Sequence, residues 1–248
     1  MKIKKKLTRK QLLKQEDEFI STSTKVFNWI KENFNKVILG LLVFLVIMAV
    51  VLSVRYQSKK NLINSTKHLY VAKNIYYAPV QPPPQGQNAA TPQQGFPSAE
   101  AKYQKAMQSF EALIEIYPKS QAAEEARFFI PNCLYFLGKY DQAIEGFNAY
   151  MERYPQGLFV QQAMVGIAYV HSAKGDYNQS IDVFQQILDN NPEFILRDAV
   201  YMQLGDSYEK IGSPEKAKEA YQNVIINFPD SPFLEDAENK VSMLSEEG

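Results

Sequence analysis

The sequence predicts an all-α protein: a single N-terminal transmembrane helix followed by an α-solenoid of helix pairs, about three full repeats plus flanking helices. Three observations carry this. Residues 37–54 run for eighteen positions without a charge, bounded by Lys36 and Arg55. Four prolines, Pro118, Pro155, Pro192 and Pro229, recur every 37 residues. Each is preceded at fixed distances by a small residue and by an aromatic.

Residues 1–36 form a basic leader, with ten Lys/Arg against four Asp/Glu. Phe19, Val26, Phe27, Ile30 and Phe34 recur at helical spacing, and Trp29 is the only tryptophan. The pattern predicts a partly amphipathic helix that lies at a membrane surface with Lys25, Lys31 and Lys36 on its flanks. The run 37–54 follows. At about 1.5 Å per residue it covers roughly the hydrocarbon thickness of a bilayer. A signal peptide has a shorter leader, a shorter apolar region and a small-residue cleavage motif. The sequence after Ser53, "VRYQSKK", offers no such site, so an uncleaved signal-anchor helix is expected. The ten leader bases favour a cytoplasmic N-terminus.

Residues 55–77 read as a helix continuing from the membrane, with Leu62, Leu69, Ala72 and Tyr76 along one stripe. Residues 78–98, "APVQPPPQGQNAATPQQGFPS", hold six prolines, five glutamines and no charge. Such a composition cannot bury enough apolar surface to offset its ordering entropy, so a flexible loop is expected. Residues 55–99 hold five bases and no acid, whereas residues 100–248 hold twelve bases and twenty-three acids. That acidic balance speaks against a nucleic-acid partner, which needs a basic face.

From residue 99 onward the repeat takes over. Eight residues before the prolines stand Phe110, Phe147, Phe184 and Tyr221; twelve before stand Ala106, Ala143, Ser180 and Ala217. Seventeen before the last three stand Gly138, Gly175 and Gly212. One helix pair cannot bury its own apolar stripe, so pairs must stack. Units are legible at 124–157, 161–194 and 198–231, with a terminal helix at 232–246. Residues 101–117 form a second helix whose first helix is missing, and 55–77 are assigned to that place with 78–98 inserted in the turn. Pro131 falls inside a first helix, in the slot of Ala168 and Gly205, and predicts a kink at 127–131 rather than a helix end.

These blocks resemble tetratricopeptide repeats, with the turn glycine, the small residue and aromatic of the second helix, and the closing proline. Register then selects the side chains of the first helices that face the groove: Phe128, Asn132, Tyr135 and Phe136, then Gln162, Val165 and Tyr169, then Met202, Asp206 and Glu209. The sequence from aromatic to acidic suits an apolar or basic extended segment. No catalytic, cofactor or metal site is expected. His68 and His171 lack partners at ligand spacing, and Cys133 lacks a basic neighbour that would make it reactive. No enzymatic activity and no small-molecule substrate follow from this.

Leader, anchor and repeats in that order are similar to the inner-membrane tetratricopeptide proteins of the bacterial envelope, of the YfgM-like type that assists the Sec translocon. The resemblance implies a repeat domain in the periplasm that meets translocon subunits, chaperones or secreted clients. The alternative is an envelope-assembly or cell-division scaffold of the Tol–Pal type.

Overall fold

A computed structural model of the chain describes residues 9–80, 95–190 and 193–246. The loop expected at 78–98 lies mostly outside the described residues. Among those described there are ten helices and no strand beyond one isolated bridge. The chain divides into two units, residues 1–60 and 61–248.

The first unit holds α1 (Arg9–Glu32) and the beginning of α2 (Phe34–Tyr77). The helical bonding pattern passes through Asn33, whose N–H donates to the Trp29 carbonyl at 2.9 Å while its own carbonyl accepts from Val37 at 3.0 Å. Val26, Phe27, Trp29 and Phe34 are exposed. So are fourteen large apolar side chains between Ile38 and Val54. Burying each would yield about 1.5 kcal/mol or more, so leaving them in water forgoes on the order of 20 kcal/mol. That exceeds the whole stability of a typical domain, about 5–15 kcal/mol. The stretch is long and apolar enough to cross a membrane.

In the second unit, residues 61–77 of α2 present Ser65, Leu69 and Ala72 to a core they share with Tyr103, Ala106 and Phe110 of α3 (Ala99–Ile116). Lys73 reaches Glu125 at 2.6 Å. Beyond Tyr77 the chain is pinned where it returns: the Phe96 N–H donates to the Pro79 carbonyl at 3.0 Å.

The remaining helices are α4 (Gln121–Phe136), α5 (Tyr140–Arg153), α6 (Val160–Lys174), α7 (Tyr177–Asn190), α8 (Arg197–Lys210), α9 (Pro214–Asn227) and α10 (Leu234–Glu246). Each packs on the next in chain order from α3 onward, and α4 also touches α6. Ser98 and Ser120 cap α3 and α4 by accepting from the N–H three residues on, at 3.1 Å. Within each full pair the turn is the same. Gly138, Gly175 and Gly212 sit at φ of +71°, +83° and +71°. The residue after each donates its N–H to the carbonyl five residues back, at 2.9 Å in all three turns. This left-handed closure is what a glycine supplies at no steric cost.

The periodic positions form the core. Ala106, Ala143, Ser180 and Ala217 are fully buried, as are Phe110, Phe147, Phe184 and Tyr221. Ser180, the polar member of its slot, donates to the Ala168 carbonyl at 3.0 Å and meets the Ser172 hydroxyl at 2.7 Å. The bond satisfies a hydroxyl whose burial would otherwise cost stability. α4 runs through Pro131 for five more residues, so the proline lies within the helix. It is buried against α5, where a Cβ on Gly146 would stand 3.0 Å from the Pro131 Cβ. The slot shared with Ala168 and Gly205 is therefore a point of close helix approach. Cys133 is buried in the same helix.

Candidate protein-binding groove

The first helices of three successive pairs, α4, α6 and α8, are brought side by side by the 37-residue period. Between them lies a depression of about 310 Å³. Tyr135 of α4, Tyr169 and Ser172 of α6, Tyr177 at the start of α7, and Asp206 and Lys210 of α8 line it. Three of the residues selected by register thus share one hollow: Tyr135, Tyr169 and Asp206.

The aromatic rims are held in place. Tyr135 stands edge-on to Phe136 at 5.1 Å, and Tyr169 edge-on to Phe184 at 5.9 Å. Burial pushes both phenols above the ordinary tyrosine value, with Tyr140 adding to the first and Tyr135 and Asp206 to the second. They remain neutral hydroxyl groups able to donate and accept hydrogen bonds.

The other selected residues lie elsewhere. Phe136 is half exposed and stacked on Tyr103 at 4.3 Å. Phe128 is stacked on Phe159 at 4.7 Å and closes the joint between α4 and the start of α6. Asn132 donates its amide to the Phe128 carbonyl at 2.8 Å, within its own helix. Val165 packs against the core that holds Phe184 and Tyr221. Gln162 is half-buried, and its Oε1 has no hydrogen-bond partner among the described residues. Met202 is 3 % exposed, among core residues that include Ala237 of α10. Register put it on the groove side, but the C-terminal helix adds to the packing around it and no ligand can reach it.

The acidic end differs from expectation too. The Tyr221 hydroxyl lies 2.8 Å from Asp206 Oδ1 and 2.6 Å from Glu209 Oε1, and its one proton is shared between them. Lys240 of α10 donates to the same two oxygens at 3.0 Å each. Burial, then the bonds to Glu209 and Asp206, drive the Tyr221 phenol far above its usual range. Desolvation lowers the Lys240 ammonium, but the bonds to Asp206 and Glu209 outweigh it and the net direction is up. The two carboxylates are therefore partly neutralised from within. The sequence reading missed Lys240 because it belongs to no periodic pattern.

Chemistry is scarce around this hollow. The Cys133 thiol is pushed up to about 12, first by burial and then by Glu111, which removes the thiolate that a nucleophile needs. His68 tilts against Tyr117 at 5.6 Å. The His171 ring is largely covered, and its Nδ1, 3.9 Å from Asp176, makes no hydrogen bond among the described residues.

A family model described as outer membrane lipoprotein matches residues 135–247, and one described as tetratricopeptide repeat matches residues 98–120. No curated protein matches the chain. Among solved structures, a Podosopora anserina kinesin-light-chain protein of nearly identical TPR-like repeats is 14% identical, covers 58% of this chain and 78% of its own, and gives a TM-score of 0.49. A thermophilic TPR protein of Thermus thermophilus is 16% identical over 74% of this chain and 82% of its own, at 0.48. MamA of Desulfovibrio magneticus is 18% identical over 58% and 81%, at 0.43. With its 37-residue helix pairs, left-handed glycine turns and buried small–aromatic slots, the chain carries an α-solenoid of tetratricopeptide-like helix pairs.

Proposed function

We propose that this chain is a membrane-anchored, non-catalytic scaffold that holds an extended segment of another protein along α4, α6 and α8. The observation that carries the reading is the meeting of Tyr135, Tyr169 and Asp206 in one hollow. Neutral phenols beside a partly neutralised carboxylate favour a segment that is apolar and hydrogen-bonding rather than strongly basic. Tyrosines are enriched among the few residues that carry most of the binding energy at interfaces.

The unburied apolar stretch of α2 supports single-pass anchoring, and the exposed Phe27, Trp29 and Phe34 of α1 support a leader lying in the headgroup region. With a cytoplasmic N-terminus, the repeats lie in the periplasm on the inner membrane. There they meet secreted chains, chaperones or translocon subunits. Residues 61–77 of α2 serve as the first helix of an incomplete first repeat, with the Pro/Gln stretch inserted in its turn. A second reading, envelope assembly, is favoured by the match to an outer membrane lipoprotein family. Anchoring would then differ from that of a lipoprotein: the one cysteine, Cys133, is buried inside α4 and no lipid can be attached there.

The test is co-isolation from membranes. Tyr135→Ala with Tyr169→Ala should reduce the proteins recovered with the chain by about tenfold, the scale of a lost aromatic anchor pair. Unchanged recovery would remove the groove from the account. Crosslinks to translocon subunits separate the first reading from the second.

A further inference from the structure

A second hollow lies on the α4–α5 pair and shares no residue with the groove. It has a volume of about 610 Å³. Its floor is apolar: the accessible Ile130 of α4 and Gly146 and Ala149 of α5, with Pro131 buried beneath them. The hollow is there because the side chains are small. In the next unit the Gly146 position is Val183, and the Ala149 position is Gln186.

Its rim carries two arginines that no other unit repeats. The Arg127 position is Met164 and then Tyr201; the Arg153 position is Asn190 and then Asn227. The two guanidinium groups converge on one phenol. Tyr154 accepts from Arg127 Nη1 at 3.2 Å and from Arg153 Nε at 3.1 Å. Arg127 Nη1 also donates to the Pro118 and Ala123 carbonyls at 3.3 and 3.1 Å. Among the described residues neither arginine forms an ion pair. Two like charges are thus held together by one phenol oxygen. A carboxylate between them would relieve their repulsion and take charge-assisted bonds from both. Lys119 lines the adjoining hollow, which also shares Arg153. The nearby acids are Glu152 on the rim and Glu124, whose Oε1 lies 3.4 Å from the Tyr150 hydroxyl.

We propose that this hollow is a second docking site, for an acidic protein segment that seats one apolar side chain against Ile130 and Ala149 and a carboxylate on Arg127 and Arg153. The charge match and the apolar floor select that partner together. An apolar segment lacking acids leaves the arginines unpaired, and an acidic one lacking an anchor leaves the floor in water.

The experiment uses the full chain in nanodiscs of zwitterionic lipid, with a fluorescent short peptide of glutamates around one phenylalanine. Saturable binding is expected, absent for the lysine version of the peptide. Arg127→Gln with Arg153→Gln should weaken it by about tenfold or more. Replacing the peptide phenylalanine by glycine should weaken it about fivefold. Ala149→Leu, which fills the hollow from an exposed position and so spares the fold, should do the same. Tyr135→Ala with Tyr169→Ala should leave this binding intact, which separates the site from the groove. No saturable binding, equal binding of the lysine peptide, or unchanged affinity in either chain variant would overturn the proposal. So would displacement of the peptide by phosphatidylglycerol vesicles, which would assign the arginines to a membrane.

Discussion

Tyr221 occupies the slot that the earlier units fill with Phe110, Phe147 and Phe184, and its hydroxyl adds a demand that phenylalanine does not make. Asp206, Glu209 and Lys240 meet that demand. The consequence is a pH dependence with a definite sign. Above 10.0, the ordinary tyrosine value, the unfolded phenol ionises while the folded one keeps its proton. The unfolded state then binds fewer protons, so stability falls as pH rises. One such group contributes a slope of up to about 1.4 kcal/mol per pH unit. Tyr221→Phe should lose about 1–2 kcal/mol near neutrality, from the unmet carboxylates, and show a shallower fall in alkali. Urea midpoints near pH 8 and about pH 11 measure both, and an identical pH dependence in the two proteins would contradict the assignment. The slot itself was legible in the sequence because small and aromatic residues recur every 37 positions. Its polar partners were not, since Lys240 stands 34 residues from Asp206 and follows no period. Arg127 and Arg153 escaped for the same reason: they are departures from the repeat.

At the scale of the element, α4 sets local propensity against packing. Proline inside a helix costs about 3 kcal/mol through the missing N–H and the clash with the carbonyl four residues back, here that of Arg127. Its ring is buried against Gly146, and two buried methylenes contribute about 1.6 kcal/mol. The helical penalty is the larger of the two. Pro131→Ala is therefore expected to raise stability by about 1 kcal/mol, read as a higher urea midpoint with unchanged slope. A lower midpoint would mean that the α4–α5 contact dominates. The helices themselves were legible from glycine and proline spacing, and the three glycine turns share one geometry. What period could not supply was the cover laid on a helix by its neighbours. Met202 has the register of Phe128, yet it is a core residue in a cluster that includes α10.

At the scale of the whole molecule, two kinds of apolar surface determine the reading. Between α3 and α10, stacked pairs bury theirs; from Ile38 to Val54, α2 buries none. The long apolar helix was legible from an uncharged run alone, because no packing partner is needed to recognise it. The groove was legible only in part: register names the side of each first helix, while the hollow depends on which rings are stacked away. For topology, protease added to spheroplasts is expected to degrade residues 55–248, and resistance until lysis would reverse the orientation. The groove is tested most directly by a photo-crosslinking residue at Tyr169, at Tyr135 and at the exposed Gln222 of α9, in living cells with the adducts identified by mass spectrometry. The account predicts the same protein adducts from Tyr169 and Tyr135 and only background from Gln222. Background at both tyrosines with strong labelling at Gln222 would contradict it.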